Sequence, residues 1–256
     1  MCIKISRQLL EGLFPAARCQ MGRLTVLDCV DSTNTWLAQH GDCGDVCLAE
    51  RQSAGRGRAG RQWSSPQENI YLSICYCFNP ALRNPSLLGL SVAACLCEVL
   101  AKAGIHQHGI KWPNDILWQG RKLAGILIEH RHPKPHFIIG IGLNVNMLSN
   151  AHIEQPWCSL RQILQQRVNR NALLALLLPH LFSDLQNFPQ RNNLQWQQAW
   201  QRWDILAGKT IGLTHAHQFY QGVADGIDPQ GRLRLLVEGK PQFFTAADIH
   251  LKALIL

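Results

Sequence analysis

Residues 86–103, SLLGLSVAACLCEVLAKA, read as a helix that is apolar nearly all round, with Gly104 as its C-terminal stop. Such a helix has no face to give to water, so the rest of the chain has to cover it. With 256 residues there is enough chain to do so without disulfides or metals, as one large domain or two unequal ones. The composition, 46% hydrophobic and 16% charged, argues against disorder. No apolar run is expected to reach the ~18–20 residues that span a bilayer. The N-terminal MCIKISRQLLEGLFPAAR is broken by Arg7, Glu11 and Gly12 and lacks a signal-peptide core. No membrane association is expected, and the expected location is cytoplasmic.

Around that helix the chain alternates. Residues 23–30 and 45–50 read as strands, separated by a helix, TWLAQHG, capped by Asp31-Ser-Thr-Asn34 and ended by Gly41. Residues 69–77 have strand composition. Asp115–Trp118 and Arg121–Glu129 flank Gln119-Gly120, a two-residue hairpin signal, and His132-Pro-Lys-Pro135 turns the chain into a strand over 136–146. Helices are predicted over 171–187, kinked at Pro179, and over 193–203. Trp196, Trp200 and Trp203 stripe the second, as core or interface packing. From Lys209 the period becomes two: TIGLTH, HQFYQGVADGI, GRLRLLV and QFFTAADIHL, separated by turns, suggest a small barrel. We therefore divide the chain into 1–207 and 208–256, with the boundary at Ala207-Gly208.

The ten cysteines are scattered and include no C-x-x-C, so they read as reduced, mostly buried thiols. The pairs His106/His108, His130/His132 and His215/His217 have no neighbouring residues to complete a metal site.

A net charge of +8 favours an anionic partner. The densest basic cluster, Arg51 to Arg61, lies inside a glycine-rich loop. Gly55-Arg-Gly-Arg-Ala-Gly60 matches G-x-G-x-x-G, but no helix follows, Glu68 is too near to bind a ribose, and the next acid is Glu98. A nicotinamide oxidoreductase is thereby weakened, and the missing G-K-[ST] excludes a P-loop. The loop still suits an anion. Glycines let the backbone wrap a ligand, Arg56, Arg58 and Arg61 offer fixed donors to phosphate or carboxylate, and Trp63 offers a stacking face. A solvated basic loop is the plainer alternative.

Lys111-Trp-Pro-Asn-Asp115 brings a cation, an aromatic, a turn, an amide and a carboxylate together. Regular alternation puts Lys122, Ala124 and Ile126 on one strand face and Leu123, Gly125 and Leu127 on the other. Gly125 marks a bulge or a close approach to a ligand. Gly140-Ile-Gly142-Leu-Asn144 repeats the pattern of glycines in a strand with an amide at its end.

In this order, Asp31-Ser-Thr-Asn34, Gln52–Trp63, Lys111–Asp115, Gly120–Glu129 and Gly140–Asn146 resemble the biotin–protein ligases, from about Leu24 to the C-terminus. The resemblance implies an α+β fold, a mixed central sheet flanked by helices as in class II synthetases, with a small C-terminal SH3-like β-barrel. It implies ATP, biotin and Mg²⁺, the last arriving with ATP, and two steps: formation of biotinyl-adenylate, then transfer to a lysine of a biotin carboxyl carrier protein. By resemblance, Ser32, Thr33, Asn34 and Gln52 line the biotin pocket, with Gly125 beside them. Arg56, Gly57 and Arg58 cover the biotin carboxyl and the new phosphate. Arg61 and Trp63 face the nucleotide, Trp63 near adenine, and Asn144 lies near the adenylate. Lys111 and Lys122 neutralise phosphate and carboxylate oxygens, Lys122 being the stronger catalytic candidate. Asn114 and Asp115 position nucleotide and metal.

Some family members carry an N-terminal DNA-reading domain. Only 27 residues precede Asp28 here, too few for three helices, so a monofunctional ligase with no DNA partner is expected. A homodimer is left open. A lipoate or octanoate ligase or transferase of the same architecture is the nearest rival, and a basic nucleic-acid-binding module the next.

Overall fold

The structure is a computed structural model that describes residues 4–13, 21–79, 82, 84–131, 136–150, 153–245 and 248–250. A seven-stranded mixed sheet runs β1 (Leu24–Leu27), β2 (Val46–Ala49), β3 (Ile70–Cys77), β7 (His136–Leu143), β6 (Arg121–Arg131), β5 (Asp115–Trp118), β4 (His108–Lys111). β1 and β2 are parallel, linked through α2 (Thr33–His40), and the other neighbours are antiparallel. β4 is not among the strands expected from the sequence. The 132–135 turn lies outside the described residues.

The buried helix is α3 (Leu88–Lys102), preceded by a 3-10 turn at Pro85–Leu87 and stopped at Gly104, whose φ of +83° favours glycine. By length and a mean hydropathy of 1.5, Pro85–Lys102 would serve as a membrane span, which corrects the expectation that no run is long enough. Its 67% burial inside the protein marks it as a core helix. It packs on β4, β5 and β6 and against α5 (Arg170–Asn187), which runs unbroken through Pro179. α2 packs against β2, β3 and β7. α2 starts two residues earlier than expected, because Ser32 is its N-cap. Thr33 and Asn34 therefore occupy its first turn, buried.

The second sheet is antiparallel, in the order β11 (Lys240–Phe244), β10 (Leu233–Val237), β9 (Gln218–Ile227), β8 (Thr210–His215), β12 (Asp248–His250). Strand spacing would hold β11 and β8 about 14 Å apart in a flat sheet. Yet the rings of Phe244 and His215 are 5.6 Å apart, so the sheet curls. Its buried Ile211, Leu213, Leu233, Leu235 and Phe244 join the same apolar core as the large sheet. α6 spans Asn193–Gln201, and Trp196 and Trp200 pack with Leu87, Leu90 and Ile227 between α3 and this sheet. Trp203 lies past the helix and stacks on His108, rings 5.0 Å apart. The tryptophan stripe is packing, as expected.

The eight described cysteines are free thiols, five of them buried. Burial pushes Cys47 up to about 12 and Cys75 and Cys158 up to about 11, so these three behave as small apolar side chains.

Candidate active site

A cavity of about 930 Å³ opens on the sheet face opposite α3. Its floor follows from register. Lys111 pairs with Asp115, Asp115 with Gly125, Gly125 with Gly142 and Gly142 with Tyr71, so one row across five strands points into the cavity. The next row brings Ser73 opposite Gly140.

Lys122 joins this face through a bulge. It pairs with Leu117 while Ala124 pairs with Ile116, leaving Leu123 as the extra residue. The expectation that Lys122 and Gly125 occupy opposite faces is corrected: the bulge shifts the alternation by one. A Cβ on Gly125 would lie 3.5 Å from Lys122 Cε. The cause is distant in sequence. Lys122 N donates to Pro156 O (2.9 Å), and Lys122 O accepts from Cys158 N (3.0 Å), which draws Lys122 out of the regular ladder. Asn144 fastens the junction, its Nδ2 donating to Lys122 O (3.3 Å) and Cys158 O (3.1 Å). Lys122 Nζ pairs with Asp115 Oδ1 at 2.9 Å, both groups mostly buried.

The glycine-arginine segment is a small hairpin. Gly57 N donates to Arg61 O (2.7 Å) and Trp63 N to Gly55 O (2.9 Å), around a 3-10 turn at Arg58–Gly60. Gly55 is required, since a Cβ there would come within 2.3 Å of Trp63 O. The Trp63 ring lies flat on the Gly125–Gly142 pair, where added Cβ atoms would come within 2.9 and 2.5 Å of it, with Lys122 Nζ 5.1 Å from the ring centroid. At the tip, Arg58 Nη1 donates to Asn114 Oδ1 (3.3 Å), while Asn114 Nδ2 donates to Ile126 O (2.8 Å).

Over β3 and β7 the cavity is polar but uncharged. Thr33 N donates to Gln52 Oε1 (2.9 Å), and Gln52 Nε2 donates to Ser65 Oγ (2.8 Å). Ser73 Oγ lies 2.7 Å from Thr33 Oγ1 and 2.6 Å from Asn34 Oδ1. Ser32, through its capping role, fixes the start of this turn.

The residues singled out in the sequence thus come together: Ser32, Thr33, Asn34, Gln52, Arg56, Gly57, Arg58, Arg61, Trp63, Lys111, Asn114, Asp115, Lys122, Gly125 and Asn144 all border the cavity. Sequence reasoning missed Tyr71 and Trp157, and also Thr214, His215, Ala216 and Ile249, which the second sheet brings to the rim, as well as Ser73, which lies behind the lining and holds Thr33 and Asn34. A serine at an inward strand position was the one available signal. The second sheet is tied on by buried Trp112, whose Nε1 donates to Gly231 O (3.0 Å).

Cations lie over β4–β6, neutral amides and hydroxyls over β3 and β7, and a basic hairpin above both, a lining that suits anionic ligands. The sequence profile of the biotin/lipoate A/B protein ligase family matches residues 26–146. The bifunctional ligase/repressor BirA of Escherichia coli is 33% identical over 96% of this chain and 79% of its own. The biotin–[acetyl-CoA-carboxylase] ligase of Mycobacterium tuberculosis is 31% identical over 82% and 80%. The biotin protein ligase of Aquifex aeolicus, solved with biotin and ATP, superposes with a TM-score of 0.81 at 26% identity, over 90% of this chain and 99% of that one. The chain belongs to the biotin/lipoate A/B protein ligase family, and it is a ligase.

Proposed function

We propose that the chain attaches biotin to a lysine of a biotin carboxyl carrier protein at the expense of ATP. In the first step a biotin carboxylate oxygen attacks the α-phosphorus and pyrophosphate leaves. In the second the lysine amine attacks the acyl carbon of biotinyl-adenylate, AMP leaves and the amine's proton goes to solvent. The observation that carries this reading is the bulge at Leu123, which puts Lys122 beside Asp115 and Lys111 on the glycine-floored face.

Two anions meet in the first step, so donors must be in place where charge develops on phosphorus. Lys122, Lys111 and Arg58 fill that role, and Arg56, Gly57 and Arg61 complete the cover. Ser32, Thr33, Asn34 and Gln52 offer neutral donors and acceptors that match a cyclic urea. Gly125 keeps the floor low, Trp63 provides the stacking face toward adenine, and Asn114 and Asp115 position the nucleotide. Asn144 acts through the Lys122 backbone that it binds. The hairpin excludes water from the mixed anhydride. Nucleotide-borne Mg²⁺ takes one or two carboxylates beside phosphate and water; Asp115, whose Oδ1 also pairs with Lys122, would be the carboxylate to hold it, and the ion would offset phosphate charge. We take 1–207 as the catalytic unit and 208–256 as the smaller unit at its rim.

ATP–pyrophosphate exchange with and without biotin, followed by transfer to a carrier domain, tests the proposal: exchange must require biotin. Calorimetric titration separates the lipoate reading, since the polar pocket should bind biotin and reject lipoate; the reverse preference would overturn the assignment.

A further inference from the structure

Glu129 stands on β6 at the edge of the site, outside the cavity lining. It touches both sides of the cavity. Its Oε2 accepts from Asn34 Nδ2 (2.8 Å), and its Oε1 pairs with Arg56 Nη2 (2.8 Å), with Arg56 Nη1 3.5 Å from Oε2. Asn34 is immobile: it is 3% exposed, held by Ser73, and seated so closely on Gly140 that a Cβ there would come within 2.3 Å of its Oδ1. Arg56 belongs to the hairpin and is half-exposed. Glu129 therefore ties the hairpin to a fixed point of the pocket wall. The paired guanidinium and carboxylate are partly open to water, so the bond is strong enough to bias the hairpin and weak enough to break on each turnover.

We infer that Glu129 is a positioning residue that latches the arginine hairpin over the cavity and sets how long the activated intermediate is retained. The retention half of this inference rests on the function proposed above; the latch itself does not. The hairpin carries its own reporters, because Arg56, Arg58 and Arg61 are trypsin sites. Glu129→Gln keeps an oxygen for the Asn34 amide and removes the charge that Arg56 pairs with.

The test has two arms, run on the full chain. In limited trypsin digestion, Glu129→Gln should be nicked within the hairpin several-fold faster than wild type at an unchanged thermal midpoint, and the difference should vanish at about 1 M NaCl, where the wild-type pair is screened. In a single-turnover assay with biotin and ATP, the variant should release biotinyl-adenylate several-fold faster while forming it at nearly the wild-type rate, and should label lysines of a bystander protein such as albumin. Equal nicking of the two proteins at low salt overturns the latch. Equal release overturns the retention role. If wild type forms no adenylate, the function proposal falls, and the trypsin arm alone decides the latch. If Glu129→Gln does not fold, nicking of wild type must accelerate with salt, and a flat response overturns the inference.

Discussion

On β7, Ile139 and Ile141 point into the apolar core, while Gly140 and Gly142 point into the cavity. β3 repeats this with Leu72 and Ile74 on one side and Tyr71 and Ser73 on the other. The same strands thus serve two purposes, split by their period of two. The core face is made by adding methylenes until no space is left. The cavity face is made by withholding them, so that Asn34 and Trp63 can lie within van der Waals distance of bare backbone. Removing side-chain atoms should therefore report which face they are on: stability without chemistry on one, chemistry without stability on the other.

The sharpest break in that contrast comes from Lys122→Ala. It should lower adenylate formation by about 10²–10³-fold, as expected for loss of one preorganised donor, with little change in the unfolding midpoint. Pyrophosphate exchange beside thermal unfolding checks both halves; a variant that keeps full exchange removes Lys122 from the chemistry. Ile139→Ala, the opposite case, should cost about 2–5 kcal/mol in denaturant unfolding and leave activity per folded molecule intact. Gly142→Ala tests the cavity floor. A methyl there would press on the Trp63 ring at 2.5 Å, so the ring must lift, at a cost of about 1–3 kcal/mol, and quenching of tryptophan fluorescence by ligand should change.

The smallest effect concerns pH. His108 is buried on β4, its Nε2 2.8 Å from Cys97 O, and burial lowers its pKa below the ordinary value of 6.5. The unfolded chain then takes up a proton before the folded one does, so this contribution to stability is full above pH 6.5 and is lost as pH falls through the lowered pKa. His108→Gln should flatten the fall in thermal midpoint between about pH 7.5 and pH 5.5.

How far the sequence could be read depended on the range of the interaction that set each feature. Gln119-Gly120 announced its hairpin because both residues take positive φ, +47° and +77°, within two positions. The strands, α3 and the ordered motifs were visible for similar local reasons, and the fifteen cavity residues named in advance do converge. The orientation of Lys122 was not visible, because a backbone segment more than thirty residues away, Pro156–Cys158, pulls it out of register. β4, His-Gly-Ile-Lys, was hidden because it carries a single large apolar side chain and no alternation; it is completed by pairing with β5 and by the Ile110–Asp204 bridge. Glu129 reads as an ordinary strand-end acid until the fold brings Arg56 and Asn34 to it.

The extra residue in β6 carries a warning for anyone redesigning this scaffold. Straightening β6 so that Leu123 pairs with Leu117 would tidy the pleat into an ideal hairpin, and sequence-design logic would favour it. That register would also turn the Lys122 ammonium group half a turn into the oily layer beneath α3, leaving Asp115 facing an empty bench. On the role proposed for Lys122, regularity and activity are alternatives.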